Sequence, residues 1–251
     1  MNSSSVSELY IGLMSGTSLD GVDAVLADFS GPRCVVLEHH ASAFDDTTRA
    51  ELLALNSPGA NELHRAALAA NGLARHYAQA VRALLQAAGV PAQAVRAIGA
   101  HGQTVRHRPG EFDGTGYTLQ LNNPALLAER TGVDVVADFR SRDVAAGGQG
   151  APLAPFFHQA LFAVPGQTVG VLNLGGIANL TLLRPDGTMT GFDCGPANAL
   201  LDHWVQRHRG EPFDRDGQWA ASGRVDDALL AALQSEPYFD LPPPKIGRAH
   251  V

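Results

Sequence analysis

Apolar and polar positions alternate at the start of the chain in the pattern of a β-meander. Two mainly apolar segments lie at positions 10–14 and 22–26, and a loop of small and polar residues separates them. A third apolar segment, residues 34–38, follows the turn at Gly31 and Pro32. Since glycine, serine and aspartate favour tight turns between strands, the pattern predicts three antiparallel strands.

A long helical periodicity comes next, and short apolar segments follow it. Residues 61–88 are rich in alanine and leucine at helical spacing, and Gly89 provides a stop. Further strands are predicted at 95–100, 118–121 and 134–137, and a helix at 123–130. This alternation of strands and helices indicates an α/β fold, in which ligands bind at the carboxyl ends of the parallel strands.

The pattern begins again after a glycine-rich stretch, residues 145–155. Three strands and a helix are predicted there, at 169–174, 177–183, 189–192 and 199–209. Gly195 and Pro196 are typical of a helix entry. Both halves thus start with a meander whose first turn is built of small residues. We therefore expect two similar lobes that face a cleft, the first at 1–144 and the second at 145–245.

Composition and charge narrow the function classes. The 251 residues are 45% hydrophobic and 17% charged, with a formal net charge of -7. An acidic chain with scattered basic residues does not favour non-specific binding of nucleic acid. The start of the sequence lacks the features of a signal peptide, and no apolar run is long enough to span a membrane. Cys34 and Cys194 form no metal-ligand spacing, so we expect a cytoplasmic, reduced protein.

The loop between the first two strands is the first candidate site. Gly16 and Gly21 let the backbone expose N–H groups, which can hold phosphate oxygens together with the hydroxyls between them. Asp20 and Asp23 supply the hard oxygen ligands that Mg²⁺ prefers. Taken alone, the loop is more typical of a plain hairpin than of a phosphate site.

Further candidates lie in the second half of the chain. The turn at Gly175 and Gly176 could meet another phosphate, although a plain hairpin has the same residues. Asp193 ends a predicted strand just before a predicted helix, whose positive end would keep the carboxylate ionised as a general base. The alternative for Asp193 is an ordinary helix cap.

Two polar groups follow strands of the first half. His101 comes after the strand at 95–100, where a lone histidine is more often structural than catalytic. The charged residues after the strand at 134–137 either hold a ligand or form a solvated surface. They are Asp138, Arg140, Arg142 and Asp143.

Together these segments resemble the anhydro-N-acetylmuramic acid kinase family. The matching stretches are residues 13–23, 99–107, 123–129, 134–153, 173–179 and 191–198. The likeness runs from residue 10 to residue 245, and the stretch 134–153 is too long for chance. It implies the actin/Hsp70/sugar-kinase type of α/β fold, with two ribonuclease-H-like lobes around a nucleotide cleft.

The resemblance also implies an activity. Such an enzyme of peptidoglycan recycling uses ATP, Mg²⁺ and water to open the 1,6-anhydro bond of anhydro-N-acetylmuramic acid, giving N-acetylmuramic acid 6-phosphate and ADP. Asp193 matches the family's base. The ATP-phosphate loop is matched by Gly16, Thr17, Ser18, Leu19, Asp20, Gly21, Val22 and Asp23. We expect the sugar to be held by Arg140 and Asp143, with His101 and Gln149 as further candidates. The resemblance is also compatible with a homodimer.

Members of the family run well beyond this length, so we expect the second lobe to lack its adenosine-binding segment. Residues 246–251 resemble the translation of a sequencing adapter, and we expect them to be a non-native tail. On this interpretation the 251-residue chain is inactive by itself. Two alternatives stay open: another actin-like ATPase or sugar kinase with a different substrate, and a non-catalytic sugar-binding or regulatory fragment.

Overall fold

The computed structural model describes residues 8–243, and the expected tail at 246–251 lies outside them. Contacts divide the chain into two compact units, Met1–Ala151 and Pro152–Val251. The contacts thus place the division later than the predicted boundary after residue 144, because Gly148 and Gly150 hydrogen-bond back to Asp143. The predicted division of function between the two lobes stays a prediction.

The first unit is built on a five-stranded sheet, with a separate two-stranded ribbon beside it. Its elements are β1 (Leu9–Met14), β2 (Gly21–Asp28), β3 (Val35–Ala43), α1 (Asp46–Ala54), α2 (Glu62–Ala88), β4 (Val95–Ala100), β5 (Gln103–Pro109), β6 (Gly116–Leu121), α3 (Pro124–Thr131), β7 (Val135–Ala137) and α4 (Ser141–Ala145).

The strand order of this sheet identifies the fold. It is β3-β2-β1-β4-β7, with β1, β2 and β3 antiparallel and with β4 and β7 parallel to β1. A three-stranded meander continued by parallel strands on the far side of the first strand is the ribonuclease-H-like arrangement. The α/β fold predicted from the sequence is confirmed, and so is the first meander.

Helix α2 supplies much of the core of this unit. It packs on β2 and β3, and its buried residues recur every three or four positions, as a helix with one apolar face requires. Gly89 ends it with a left-handed backbone, φ 65°, as predicted from the sequence. Among the described residues, no helix is both long and apolar enough to cross a membrane.

The second unit starts with a meander of its own. Its elements are α5 (Ala154–Phe162), β8 (Val169–Leu174), β9 (Ile177–Leu183), β10 (Met189–Pro196), α6 (Asn198–Arg209), α7 (Gln218–Ala221), α8 (Asp227–Gln234) and α9 (Pro237–Asp240). The strands are antiparallel in the order β10-β9-β8. The second meander predicted from the sequence is therefore confirmed.

The predicted helix entry at Gly195 and Pro196 is wrong. Both residues belong to β10, whose pairing with β9 is interrupted by a bulge between Asp193 and Gly195. At Gly195 the φ angle is 151°, and a Cβ there would lie 2.8 Å from the ring of Phe239. Gly195 is thus explained by a crowded strand end rather than by helix entry, and α6 begins at Asn198.

We predict that Gly21→Ala destabilises the first unit by about 1–3 kcal/mol, a typical cost of overpacking. A Cβ at Gly21 would run into the backbone oxygen of Ser42 and lie 2.9 Å from the Cα of Ala43 on the neighbouring strand. Gly12→Ala is the matched control in the same hairpin, because nothing lies within 4 Å of the Cβ it adds. Urea unfolding measures both variants, and equal stabilities would contradict the prediction.

Candidate functional site

The loop between β1 and β2 is folded around one buried side chain. Leu19 is only 4% exposed and adopts a left-handed backbone, φ 55°. Its N–H donates to the oxygen of Gly16 at 3.2 Å, and the N–H of Phe44 donates to the oxygen of Asp20 at 3.1 Å. The loop is therefore tied down at both ends, with Thr17 and Ser18 exposed at its tip.

The tip offers hydrogen-bond donors. Within residues 8–243, no hydrogen bond uses the backbone N–H of Thr17 or Ser18. Adjacent backbone N–H groups beside hydroxyls can bind the oxygens of an anion such as phosphate. Leu19 and Val22, which the sequence also assigned to ATP, have side chains in the hydrophobic core, so only their backbone can face a ligand.

The two carboxylates of this hairpin differ in their partners. Oδ1 of Asp20 accepts a hydrogen bond from the Ser18 hydroxyl at 2.8 Å. Oδ1 of Asp23 lies 3.0 Å from Nε2 of His39, across the sheet. Within the described part of the chain, no group of three or more His, Cys, Asp or Glu side chains could hold a metal ion. A cation here would therefore need ligands from a bound phosphate as well.

The loop also contacts buried side chains of the core. The sequence did not indicate these residues as part of the site. Ser15 is 2% exposed, and its Oγ lies 3.0 Å from the hydroxyl of Tyr77 in α2. Burial raises the pKa of Tyr77 to about 12, so this hydroxyl stays protonated. The Gln103 amide nitrogen donates to the oxygen of Gly16 at 3.1 Å. A tyrosine on the apolar face of α2 is the one local signal that could have indicated this network.

His101 and Arg140 form a pair at the ends of β4 and β7. Nδ1 of His101 lies 2.7 Å from the oxygen of Gly102, so this nitrogen carries the proton. Nε2 then accepts a hydrogen bond from Nε of Arg140 at 2.9 Å. His101 is therefore a neutral imidazole with both nitrogens engaged, and its backbone N–H bonds to Leu13 at the end of β1.

The environment of this pair explains its charge states. Burial, and then the charge of Arg140, lower the pKa of His101 below its ordinary value. Burial also lowers the pKa of Arg140, which still stays a cation at neutral pH. Among the described residues, no carboxylate lies within ion-pair distance of Arg140, whose second contact is the oxygen of Gly150 at 2.6 Å. A half-buried cation without an anion is suited to an anionic ligand.

Asp143 holds the glycine-rich turn beside Arg140. Its Oδ2 accepts the N–H of Gly150 at 2.7 Å, and its carboxylate fills the space that a Cβ of Gly148 would need. Gln149 is exposed within this turn. The structure thus brings His101, Arg140, Asp143 and Gln149 together in the first unit.

The turn at Gly175 and Gly176 in the second unit is hydrogen-bonded to the start of α6. The oxygen of Gly176 accepts the N–H groups of Ala197 and Ala199, and the oxygen of Gly175 accepts that of Asn198. The first N–H groups of α6 therefore already have hydrogen-bond partners in these carbonyl oxygens. The role of Gly175 and Gly176 as a second phosphate turn stays a prediction.

Asp193 lies half-buried near the end of β10, in the same unit as this turn. Among the residues that the structure describes, no side chain caps α6, so the alternative role of Asp193 as a helix cap is not observed. The Tyr238 hydroxyl donates to the backbone oxygen of Asp193 at 3.0 Å. Burial raises the pKa of Tyr238, and the charges of Asp193 and Cys194 raise it further. No local sequence pattern links Tyr238 to β10, so this contact is visible only in the folded chain.

Comparisons with known proteins agree with these motifs. The sequence model of the family described as anhydro-N-acetylmuramic acid kinase matches residues 8–250. The anhydro-N-acetylmuramic acid kinase of Variovorax paradoxus is 65% identical, covering 95% of this chain and 65% of its own. That of Albidiferax ferrireducens is 62% identical, covering 96% of this chain and 67% of its own.

Similarity to solved structures is weaker. A reductive activator for a corrinoid, iron-sulfur protein aligns with a TM-score of 0.45 at 16% identity, covering 78% of this chain and 32% of that chain. The fold assignment therefore depends on the strand order described above. The chain spans 65% and 67% of the length of the two relatives named, and nearly all of it aligns with them. This chain belongs to the anhydro-N-acetylmuramic acid kinase family.

Proposed function

We propose that the complete gene product phosphorylates anhydro-N-acetylmuramic acid with ATP while opening its 1,6-anhydro bond with water, in peptidoglycan recycling. The observation that carries this proposal is the family match over residues 8–250, which includes every residue assigned to the site. The remaining expectations belong to the same proposal: small-molecule substrates, no nucleic-acid or membrane partner, a cytoplasmic location and a homodimer.

The reaction changes two bonds, and the chain offers a group for each change. Water attacks the anomeric carbon, Asp193 takes its proton, and the bond from this carbon to the bridging oxygen breaks. The released oxygen at position 6 of the sugar then forms a bond to the γ-phosphorus of ATP, and ADP leaves. Asp193 suits the role of base because its carboxylate is half-buried near the end of β10.

The loop tip is the group proposed to hold the phosphates of ATP. Within the described part of the chain, the N–H groups of Thr17 and Ser18 have no hydrogen-bond partner, so they suit the negatively charged oxygens over which charge spreads in phosphoryl transfer. Fixed donors cost no reorganisation when the charge develops, so a rigid loop favours the transition state.

Asp20 is the residue we propose to hold Mg²⁺, with Asp23 as the second candidate. The carboxylate of Asp20 is exposed, and its Oδ1 accepts a hydrogen bond from the Ser18 hydroxyl, which leaves the other oxygen accessible to a cation. Mg²⁺ usually takes one or two protein carboxylates and completes its shell with phosphates and water, which fits the few carboxylates present. When bound, the ion would neutralise charge on the phosphates.

We propose that Arg140 binds the carboxylate group of the sugar. Muramic acids carry a lactyl carboxylate, and a guanidinium without an ion-pair partner is the complementary group. Asp143 and Gln149 would contact the sugar from the adjoining turn. His101 contributes by holding Arg140, since both of its ring nitrogens are already engaged.

We predict that Asp193→Asn lowers kcat about 10²–10⁴-fold, as is typical for loss of a general base. Sugar affinity should stay near the wild-type value, because the amide keeps the shape of the carboxylate. Coupled ADP release measures turnover, and calorimetry measures binding. Asp202→Asn is the matched control, since it removes another half-buried carboxylate from the same unit. Near-normal turnover in Asp193→Asn would remove this residue from the role of base.

We predict that the KM for the sugar rises when the pH falls below the ordinary pKa of histidine, about 6.5. The pKa of His101 is lowered, so the imidazole is neutral at neutral pH and gains its proton only under more acidic conditions. Protonated Nε2 can no longer accept the hydrogen bond from Arg140, and the two cations repel each other.

The test compares wild type with His101→Gln from about pH 8 to about pH 5, across the histidine titration. The glutamine oxygen can still accept from Arg140 but does not titrate, so the rise in KM should be smaller in this variant. His158→Gln in the second unit is the control and should keep the wild-type profile. Identical profiles for all three proteins would contradict the role given to His101.

A further inference from the structure

Gln103 occupies a buried position where packing alone does not favour a glutamine. It is 1% exposed at the start of β5, and Oε1 of its amide has no hydrogen-bond partner among the described residues. An unpaired buried acceptor is unfavourable, and an apolar side chain of similar length would avoid it. The amide's Nε2 makes a directed contact, the hydrogen bond to the oxygen of Gly16 at 3.1 Å.

This contact fixes the direction of a whole peptide group. The oxygen of Gly16 accepts hydrogen bonds from Gln103 and from the N–H of Leu19, both of which are buried. In a planar trans peptide the carbonyl and the following N–H point in opposite directions. Holding the Gly16 oxygen toward the core therefore turns the N–H of Thr17 away from the core, to the exposed tip of the loop.

The residue before this peptide is held in the same way. The Oγ of Ser15 lies 3.0 Å from the Tyr77 hydroxyl and donates to the oxygen of Gly102 at 3.4 Å. Tyr77 is fully buried in the middle of α2, so its hydroxyl has little freedom. The two supports, Tyr77 and Gln103, come from different elements and meet at consecutive residues of the loop.

We propose that Gln103 is a positioning residue that aims the Thr17 N–H at a nucleotide phosphate, with Tyr77 as the second support through Ser15. The proposal rests on the proposed use of ATP. It assigns Gln103 no contact with substrate, because its side chain is buried beneath the loop.

The test is Gln103→Met in the complete gene product, with ATP and Mg²⁺ binding measured by calorimetry in the absence of sugar. Losing the orientation of one donor should raise the Kd for ATP about three- to tenfold. The melting temperature should stay the same or rise, since the variant removes an unpaired buried oxygen. Tyr77→Phe, which loses only a hydroxyl, should raise the same Kd.

Gln120→Met is the matched control. Gln120 lies on β6 of the same ribbon, and its amide donates to the hydroxyls of Thr104 and Thr118 rather than to the loop. Its Kd for ATP should equal that of the wild type. An unchanged Kd in Gln103→Met, an equal rise in Gln120→Met, or failure of Gln103→Met to fold would each overturn the positioning role.

The outcome is separate from that of the proposed function. If the wild-type protein binds ATP and does not phosphorylate the anhydro sugar, the proposed function fails while the comparison of Gln103 with Gln120 remains valid. If the sugar is phosphorylated and Gln103→Met binds ATP normally, only the positioning role fails.

Discussion

Burial of Leu19 is the constraint on which the loop between β1 and β2 depends. A left-handed backbone at a leucine costs roughly 1–2 kcal/mol, and full burial of a leucine side chain contributes roughly 1.5–3 kcal/mol. The core can therefore hold this residue in an unfavourable conformation. Leu19 anchors the loop in the core, and the two preceding residues are exposed at its tip. The direction of the Thr17 N–H depends on a second contact, the hydrogen bond from Gln103 to the Gly16 oxygen.

Arg140, the group proposed to hold the sugar, depends on a balance between burial and charge. Arg140 is partly withdrawn from water without an ion-pair partner in the described part of the chain, and this is unfavourable by itself. The neutral His101 and the Gly150 oxygen satisfy two of its donors without cancelling its charge. An uncompensated cation is a stability cost in the free protein and a source of affinity when an anion binds.

The strands and the long helix could be predicted because each depends on local pattern. Residues 10–14, 61–88 and 169–174 carry period-two or helical signals that tertiary contacts do not overrule. The β5–β6 ribbon was less evident, since residues 103–109 mix basic and small residues and pair outside the main sheet. The predicted helix entry at Gly195 is wrong because β10 continues through Pro196 in its pairing with β9, and the local sequence does not show where that pairing ends.

In the candidate site, too, some features follow from local sequence and others depend on tertiary contacts. Its loop and its charged motifs are contiguous in sequence and were found there. The supports are not contiguous: Tyr77 lies 62 residues from Ser15, and Gln103 lies 87 residues from Gly16. Local spacing holds no information about such pairs, so only the folded chain could identify them.

The most direct test of the proposed kinase reaction is turnover of anhydro-N-acetylmuramic acid by the complete gene product in water enriched in heavy oxygen. Mass spectrometry of the product locates the label, and ADP is measured in parallel. The account predicts equal amounts of ADP and sugar 6-phosphate, with the label on the anomeric carbon and none in the phosphate. Label in the phosphate, or ADP release that does not require the sugar, would contradict it.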